Sequence, residues 1–487
     1  RIEILRAPTA ETGARAIAGT INIVLREGFR RRVNDVNLGV QHEHGKVSPS
    51  LGWTRNDTAG DWILNSSLSL FRNRQVNLSR SQREDTPTSG GAPVLVRDST
   101  TRSEGTRQGG SFSARAQWRD EQGTSLLLTP LLVHSASSNR ALGTLDQPIG
   151  SPPAEYAASD TNTDSRFSLA RLNTNFNHRI ADGPRLEWRA GVTHLRARNQ
   201  QTRREQDNVG APLRTTLDNS DTRDRNASLS LKALMLLGEN HNGVAGLEFE
   251  RNRRVQARST LQDGAPLLTE FGSNLEASLR RYAAYAQDEW AINPNWAAHV
   301  GLRVEGITTQ GEGENERIDA NESRVVTPLL HAVWKPDEKS RDQIRASLTR
   351  SYRSPDLNQL IGRPSLNRTD TAPGPNSELT ADTAGNPRLK PEVAIGIDLA
   401  FERYLAEGGV LSANFFHRRI SDLIRTVVVQ EDVSWSPGQP RYVSRPQNIG
   451  KATTQGIELE AKFRLDQLID NGPLTELRAN ASVFRSR

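Results

Sequence analysis

The chain has 487 residues, of which 35% are hydrophobic, 5% aromatic and 25% charged; 63 Lys and Arg face 57 Asp and Glu, a net charge of +6. No stretch approaches the roughly 18 consecutive apolar residues of a spanning helix, which excludes an α-helical membrane protein. It does not exclude a membrane β-barrel, whose strands turn only every second residue to lipid.

Acids and bases are mixed along the whole chain, which argues against a nucleic-acid partner. Only seven of the 63 basic residues are lysines, and arginine suits dense ion-pair networks because its fork stays charged. There is no cysteine, so disulfide frameworks, thiolate metal sites and Cys nucleophiles are excluded together.

In chain order, residues 1–28 stand apart. A short strand is expected at 1–6, then Ala7-Pro8 and a small-residue stretch through Gly13 and Gly19, then a second apolar strand at 20–25. From residue 33 onward the dominant signal is alternation with period two, the mark of half-buried strands. Val36, Leu38 and Val40 share one parity, as do Trp62, Leu64, Leu68 and Leu70. The pattern recurs at Phe112, Ala114, Ala116 and Trp118, at Leu186, Trp188, Ala190 and Val192, and at Leu229, Leu231, Ala233 and Met235. It continues at Ala298, Val300, Leu302 and Val304 and is cleanest at Val393, Ile395, Ile397, Leu399 and Phe401. These runs predict about 17 strands of about ten residues each, the length a tilted strand needs to cross a bilayer.

The connections alternate in length. Tight polar turns are expected at 56–61, 120–123, 181–184, 238–243, 293–295, 337–342 and 406–409, with a first short hairpin at His44-Gly45. Between them lie long polar stretches near 74–109, 135–164, 198–222, 253–279, 307–324, 351–391 and 421–451, expected to be structureless loops. Compact soluble domains rarely carry so many, whereas outer-membrane barrels pair short periplasmic turns with long external loops.

The other parity holds Glu248, Glu250, Arg303, Glu305, Arg345, Asp398, Glu402, Glu458 and Glu460. A face lined by both signs describes a wet or plugged lumen; the alternative is the wet face of an open soluble sheet. The fold class is therefore all-β, an antiparallel transmembrane β-barrel.

Residues 1–25 resemble the end of the plug domain of TonB-dependent outer-membrane receptors. Arg1–Arg6, Pro8, Gly13 and the stretch 19–24 fall in order and at the family's spacing, with Ala7 where Gly is usual and Thr12 where an aromatic is usual. Further matches run down the barrel: Gly246-Leu-Glu-Phe-Glu250, Ala284-Tyr-Ala-Gln-Asp-Glu-Trp290, Gly301-Leu-Arg-Val-Glu305, Ser351-Tyr-Arg-Ser-Pro355, Asn386-Pro-Arg-Leu-Lys-Pro-Glu392 and Gly456-Ile-Glu-Leu-Glu460. The resemblance implies that 1–30 is the C-terminal end of a plug and 31–487 is most of a 22-stranded barrel. About five strands would then follow residue 487, and the rest of the plug, a TonB box and a signal peptide would precede residue 1.

No catalytic constellation emerges, so an enzyme is not expected and no cofactor is implied. His42 and His44 share a parity and could hold a metal, although wet hairpin residues are the simpler reading and no metal site is expected. The resemblance implies an ion-pair latch between plug and barrel, with Arg6 on the plug and Asp398 and Glu458 on the inner wall. It also implies uptake of a scarce ligand, a ferric siderophore first, by a monomer energised through TonB, ExbB and ExbD. Outer-membrane lipid and lipopolysaccharide would surround it. An oligosaccharide or peptide importer, or a non-transporting adhesin or pore, are the alternatives. Among the loop residues, Arg203, Arg204, Arg363 and Trp435 are the ligand-binding candidates.

Overall fold

The computed structural model describes residues 2–5, 20–23 and 32–487, apart from 152, 182, 313–319, 362, 368, 371, 373, 406–407 and 470–471. Among the described residues, seventeen long strands follow one another from Val33–Glu43 to Glu476–Ser486, and each pairs antiparallel with the next. The sheet curls until the strand order brings the last strand beside the first. On those two strands Leu38 and Val483 are 81% and 77% exposed. Ile2–Leu5 and Thr20–Ile23 pair with each other in a separate hairpin.

The tight turns fall where polar residues interrupt the alternation. His44 and Gly45 both take positive φ, 46° and 73°, between paired Glu43 and Lys46. Two such residues make the hairpin turn whose twist matches the strands it joins. Side-chain parity also holds. On Glu392–Tyr404, Ile395, Ile397, Leu399 and Phe401 are exposed, while Asp398 between them is buried. A polar side chain buried on the concave face and an apolar one exposed on the convex face is the reverse of a soluble sandwich and what lipid requires.

Two expectations change. Strands of about ten residues become strands of 22–25 residues between Trp62–Asp85 and His241–Gln262. At about 3.3 Å per residue, these run far past the apolar band. Beyond lipid both faces are wet, so the period-two signal vanishes while the backbone ladder continues. Much of 74–109, 135–164, 198–222 and 253–279 is therefore strand.

The stretches 354–391 and 422–450 are not structureless either. Asp382–Thr383 pairs parallel with Arg441–Asn448, which pairs antiparallel with Ile424–Glu431, and this three-stranded sheet knits the two loops together.

Candidate functional site

The inner wall is built from the polar parity of neighbouring strands. Glu248 and Glu250 lie on His241–Gln262, Arg281 on Asn274–Asn293, Arg303 and Glu305 on Trp296–Glu312, and Tyr352 on Gln343–Arg353. Arg281 donates to Glu248, Glu250 and Glu305, each at 3.0 Å. Arg303 donates to Glu248 and Glu305 at 2.6 Å, and the Tyr352 hydroxyl donates to Glu305 at 2.5 Å. Arg303 also stands 5.2 Å over the Tyr285 ring, which lies against Gly246. Arg303, Glu305 and Tyr352 are fully buried. Three carboxylates and two guanidiniums held this way offset each other's burial, because every charge has a partner.

Beside this cluster a polar chamber of about 540 Å³ opens on the same face. Asn173, Asn175, Arg189, Asn226, Glu250 and Arg281 are among the side chains that line it. No histidine does so among the described residues.

The loop 354–391 crosses the barrel's mouth. It leaves Gln343–Arg353, yet Asp370 pairs with Arg97 at 2.9 Å, Ser377 accepts from Arg83, and Ser365 accepts from Arg258 at 3.1 Å. Arg97 and Arg83 stand opposite each other on the paired strands Leu95–Arg119 and Trp62–Asp85, and Arg258 stands elsewhere on the wall, on His241–Gln262. From the other loop, 422–450, buried Arg441 donates to Asp382 at 2.7 and 3.0 Å and to the Asp370 carbonyl at 2.8 Å.

The candidate residues from sequence fall in different places. Arg203 points inward, pairs with Glu205 at 2.6 Å and stands 4.9 Å over Tyr156. Arg204, one residue on, has the lipid-facing parity and is exposed. Arg363 is buried in the loop and donates to the carbonyls of Leu268 and Gly272 at 2.8 Å; burial, with Arg258 nearby, lowers its pKa. The Trp435 indole N–H donates to Asp382 at 2.8 Å and its ring packs on Phe271.

Asp398 and Glu458 both take the inward parity. Asp398 accepts from Arg418 at 2.8 Å and from Ser347, and Glu458 accepts from Asn414 at 3.4 Å. Arg6 lies outside the described residues. Sequence reading had not singled out Arg281, Arg418 or the Asp382–Arg441 pair. Counting parity along each strand finds the first two, but nothing local joins residues 59 positions apart in two loops.

The family model for the TonB dependent receptor-like β-barrel matches residues 132–485. The chain belongs to the TonB-dependent receptors. These are Gram-negative outer-membrane proteins, so the exposed apolar parity of this receptor's barrel faces lipid.

Among curated relatives, 204 residues are 21% identical to the iron-regulated outer membrane virulence protein of Vibrio cholerae serotype O1, covering 41% of this chain and 28% of that protein. Another 212-residue match is 23% identical to the heme/hemopexin utilization protein C of Haemophilus influenzae, covering 41% and 29%. Both matches span under a third of the relative.

Among solved structures, the siderophore receptor PirA from Pseudomonas aeruginosa is similar over 100% of this chain and 72% of its own, with a TM-score of 0.54 and 15% identity. PiuA from Acinetobacter baumannii is similar over 100% and 68%, at 0.55 and 14%. At such identities the likeness is one of fold.

Proposed function

We propose that this chain is the barrel, with the end of the plug at 1–30, of a receptor that takes up a ferric siderophore in a TonB-driven step. The chamber carries the reading. Asn173, Asn175 and Asn226 offer hydrogen bonds, and Arg189 reaches in with its side chain 60% exposed. That set suits a carboxylate- or catecholate-bearing chelate, which a guanidinium grips through two parallel hydrogen bonds. Haem would call for an axial ligand such as histidine, and the chamber presents none among the described residues. A sugar importer would want aromatic platforms, and only Phe249 is among the lining residues.

Energy would enter through TonB with ExbB and ExbD, acting on the plug's N-terminal side. In this scheme the plug is held by Arg6 against Asp398 and Glu458. Since Asp398 already accepts from Arg418, release can pass by handing that carboxylate from one arginine to the other. Replacing both acids by their amides is expected to loosen the plug; unchanged plug retention would remove the latch from the mechanism.

Titration calorimetry of the purified receptor against ferric catecholate, hydroxamate and carboxylate chelates, haem and an oligosaccharide tests the ligand class. A ferric chelate is expected to bind, and Arg189→Gln to weaken it about tenfold. Binding of haem or sugar with none of the chelates would overturn the assignment.

A further inference from the structure

The exposed parity changes character abruptly on five adjacent strands, from Ala158–Arg179 to Asn274–Asn293. One cross-strand rung reads Leu172, Val192, Ala227, Arg251, Arg280. Two residues further from the tight turns the rung contains His194, Arg225 and Arg253, the next contains Arg196 and Arg223, and the next Arg166 and Arg198. The ladders carry no break across these rungs, so all of these residues share the face of Leu172, Trp188, Leu229 and Leu247.

These four rungs hold eight arginines and only two acids, Asp221 and Glu276. That excess of six equals the excess of the whole chain, 63 basic against 57 acidic residues. Elsewhere the charges balance, so this patch is not ordinary surface polarity. Arg196 and Arg198 pair with Asp221 at 2.5 and 3.0 Å, and Arg253 pairs with Glu276. Arg166, Arg225, Arg251 and Arg280 are exposed, and their side chains make no hydrogen bond or ion pair among the described residues.

Below the patch, on the same wall, an apolar groove of about 500 Å³ opens outward. Ala233, Ala245, Ala284 and Ala286 form its floor, between Leu231, Leu247 and Leu302. Alanine where neighbouring rungs carry leucine leaves room for a chain to lie along the wall.

We propose that this face is a seat for one outer-leaflet glycolipid, with the phosphate groups of lipopolysaccharide on the arginines and an acyl chain in the groove. The patch sits where the apolar band ends, on the side away from the tight turns, which in such barrels is the external side. Strand spacing of about 4.8 Å and rung spacing of about 6.7 Å put several guanidiniums within reach of each phosphate, and arginine binds phosphate bidentately. The seat depends on the outer-membrane setting and not on which solute the receptor imports.

The test uses the receptor purified in mild detergent and titrated with bisphosphorylated lipid A and with its dephosphorylated form, with bound lipid counted by native mass spectrometry. The variant R166Q/R225Q/R251Q/R280Q removes only exposed side chains without protein partners, so the barrel should fold. It is expected to retain about tenfold less bisphosphorylated lipid A. A matched variant, R80Q/R102Q/R403Q/R419Q, is expected to retain as much as the wild type. Ala245→Leu with Ala286→Leu should lower retention while leaving the arginines in place. Equal retention of the two lipid forms by the wild type, undiminished retention by the patch variant, or an equal loss in the matched variant would overturn the proposal.

Discussion

At Glu305 two arginines and a tyrosine hydroxyl converge on one fully enclosed carboxylate. Removing one member of such a group leaves its partners charged and dry, which costs about 3–5 kcal/mol. Glu305→Ala is therefore expected to lower the barrel's stability by that order, read as the urea midpoint at which the folded band is lost on a gel. A variant as stable as the wild type would mean that the cluster is hydrated and not enclosed. Gly246 sets a second test, because a Cβ there would lie 2.4 Å from the Tyr285 ring. Gly246→Ala must swing that ring off Arg303, at an expected cost of about 1–3 kcal/mol. Adding Tyr285→Ala should make the two losses non-additive, and simple additivity in unfolding would contradict the contact. Of these residues, Glu248, Arg303 and Glu305 were legible from parity alone. Tyr352 stood in the sequence only as part of a motif, because the hydroxyl's target lies two strands away.

Single strands divide into a stretch that meets lipid and a stretch that does not. On Glu392–Tyr404, Leu399→Arg would put a charge on the lipid face, at a cost of about 2–4 kcal/mol near the midplane. Asp398→Asn, on the other face, should cost less and act instead on the pairing with Arg418. Folding yields of both variants in lipid vesicles check this, and the reverse order would place the faces wrongly. The alternation was readable wherever lipid imposes it. It failed along 198–222, where both faces of the strand are wet, and that is why the strand ends there escaped a sequence reading.

The two interlocked loops were unreadable for another reason, since Asp382–Thr383 and Arg441–Asn448 pair in parallel across a long separation. Asp382→Ala strips the buried Arg441 and the Trp435 N–H of their carboxylate acceptor and leaves Arg441 with backbone carbonyls. It is expected to speed tryptic cutting within 422–450 severalfold while the barrel stays intact. Unchanged cutting would mean that the loops hold together without that pair.

For the whole molecule, seventeen antiparallel strands place an apolar face outward and a charged one inward, and two knitted loops cross the opening. Composition alone excluded a helical membrane protein and no more; the two-residue period and the alternating connection lengths pointed to a barrel. The latch remained a matter of resemblance, because Arg6 lies outside the described residues and Asp398 has a second arginine at hand. The imported solute was not legible at all. The chamber is assembled from six strands, and no single stretch of sequence displays it.

The central claim is energised uptake through this barrel. Its most direct test is the accumulation of a radiolabelled ferric siderophore by cells whose only receptor is the product of the full reading frame, with TonB present or deleted. The account predicts saturable uptake that disappears without TonB. Equal uptake in both strains would show a passive pore and contradict it.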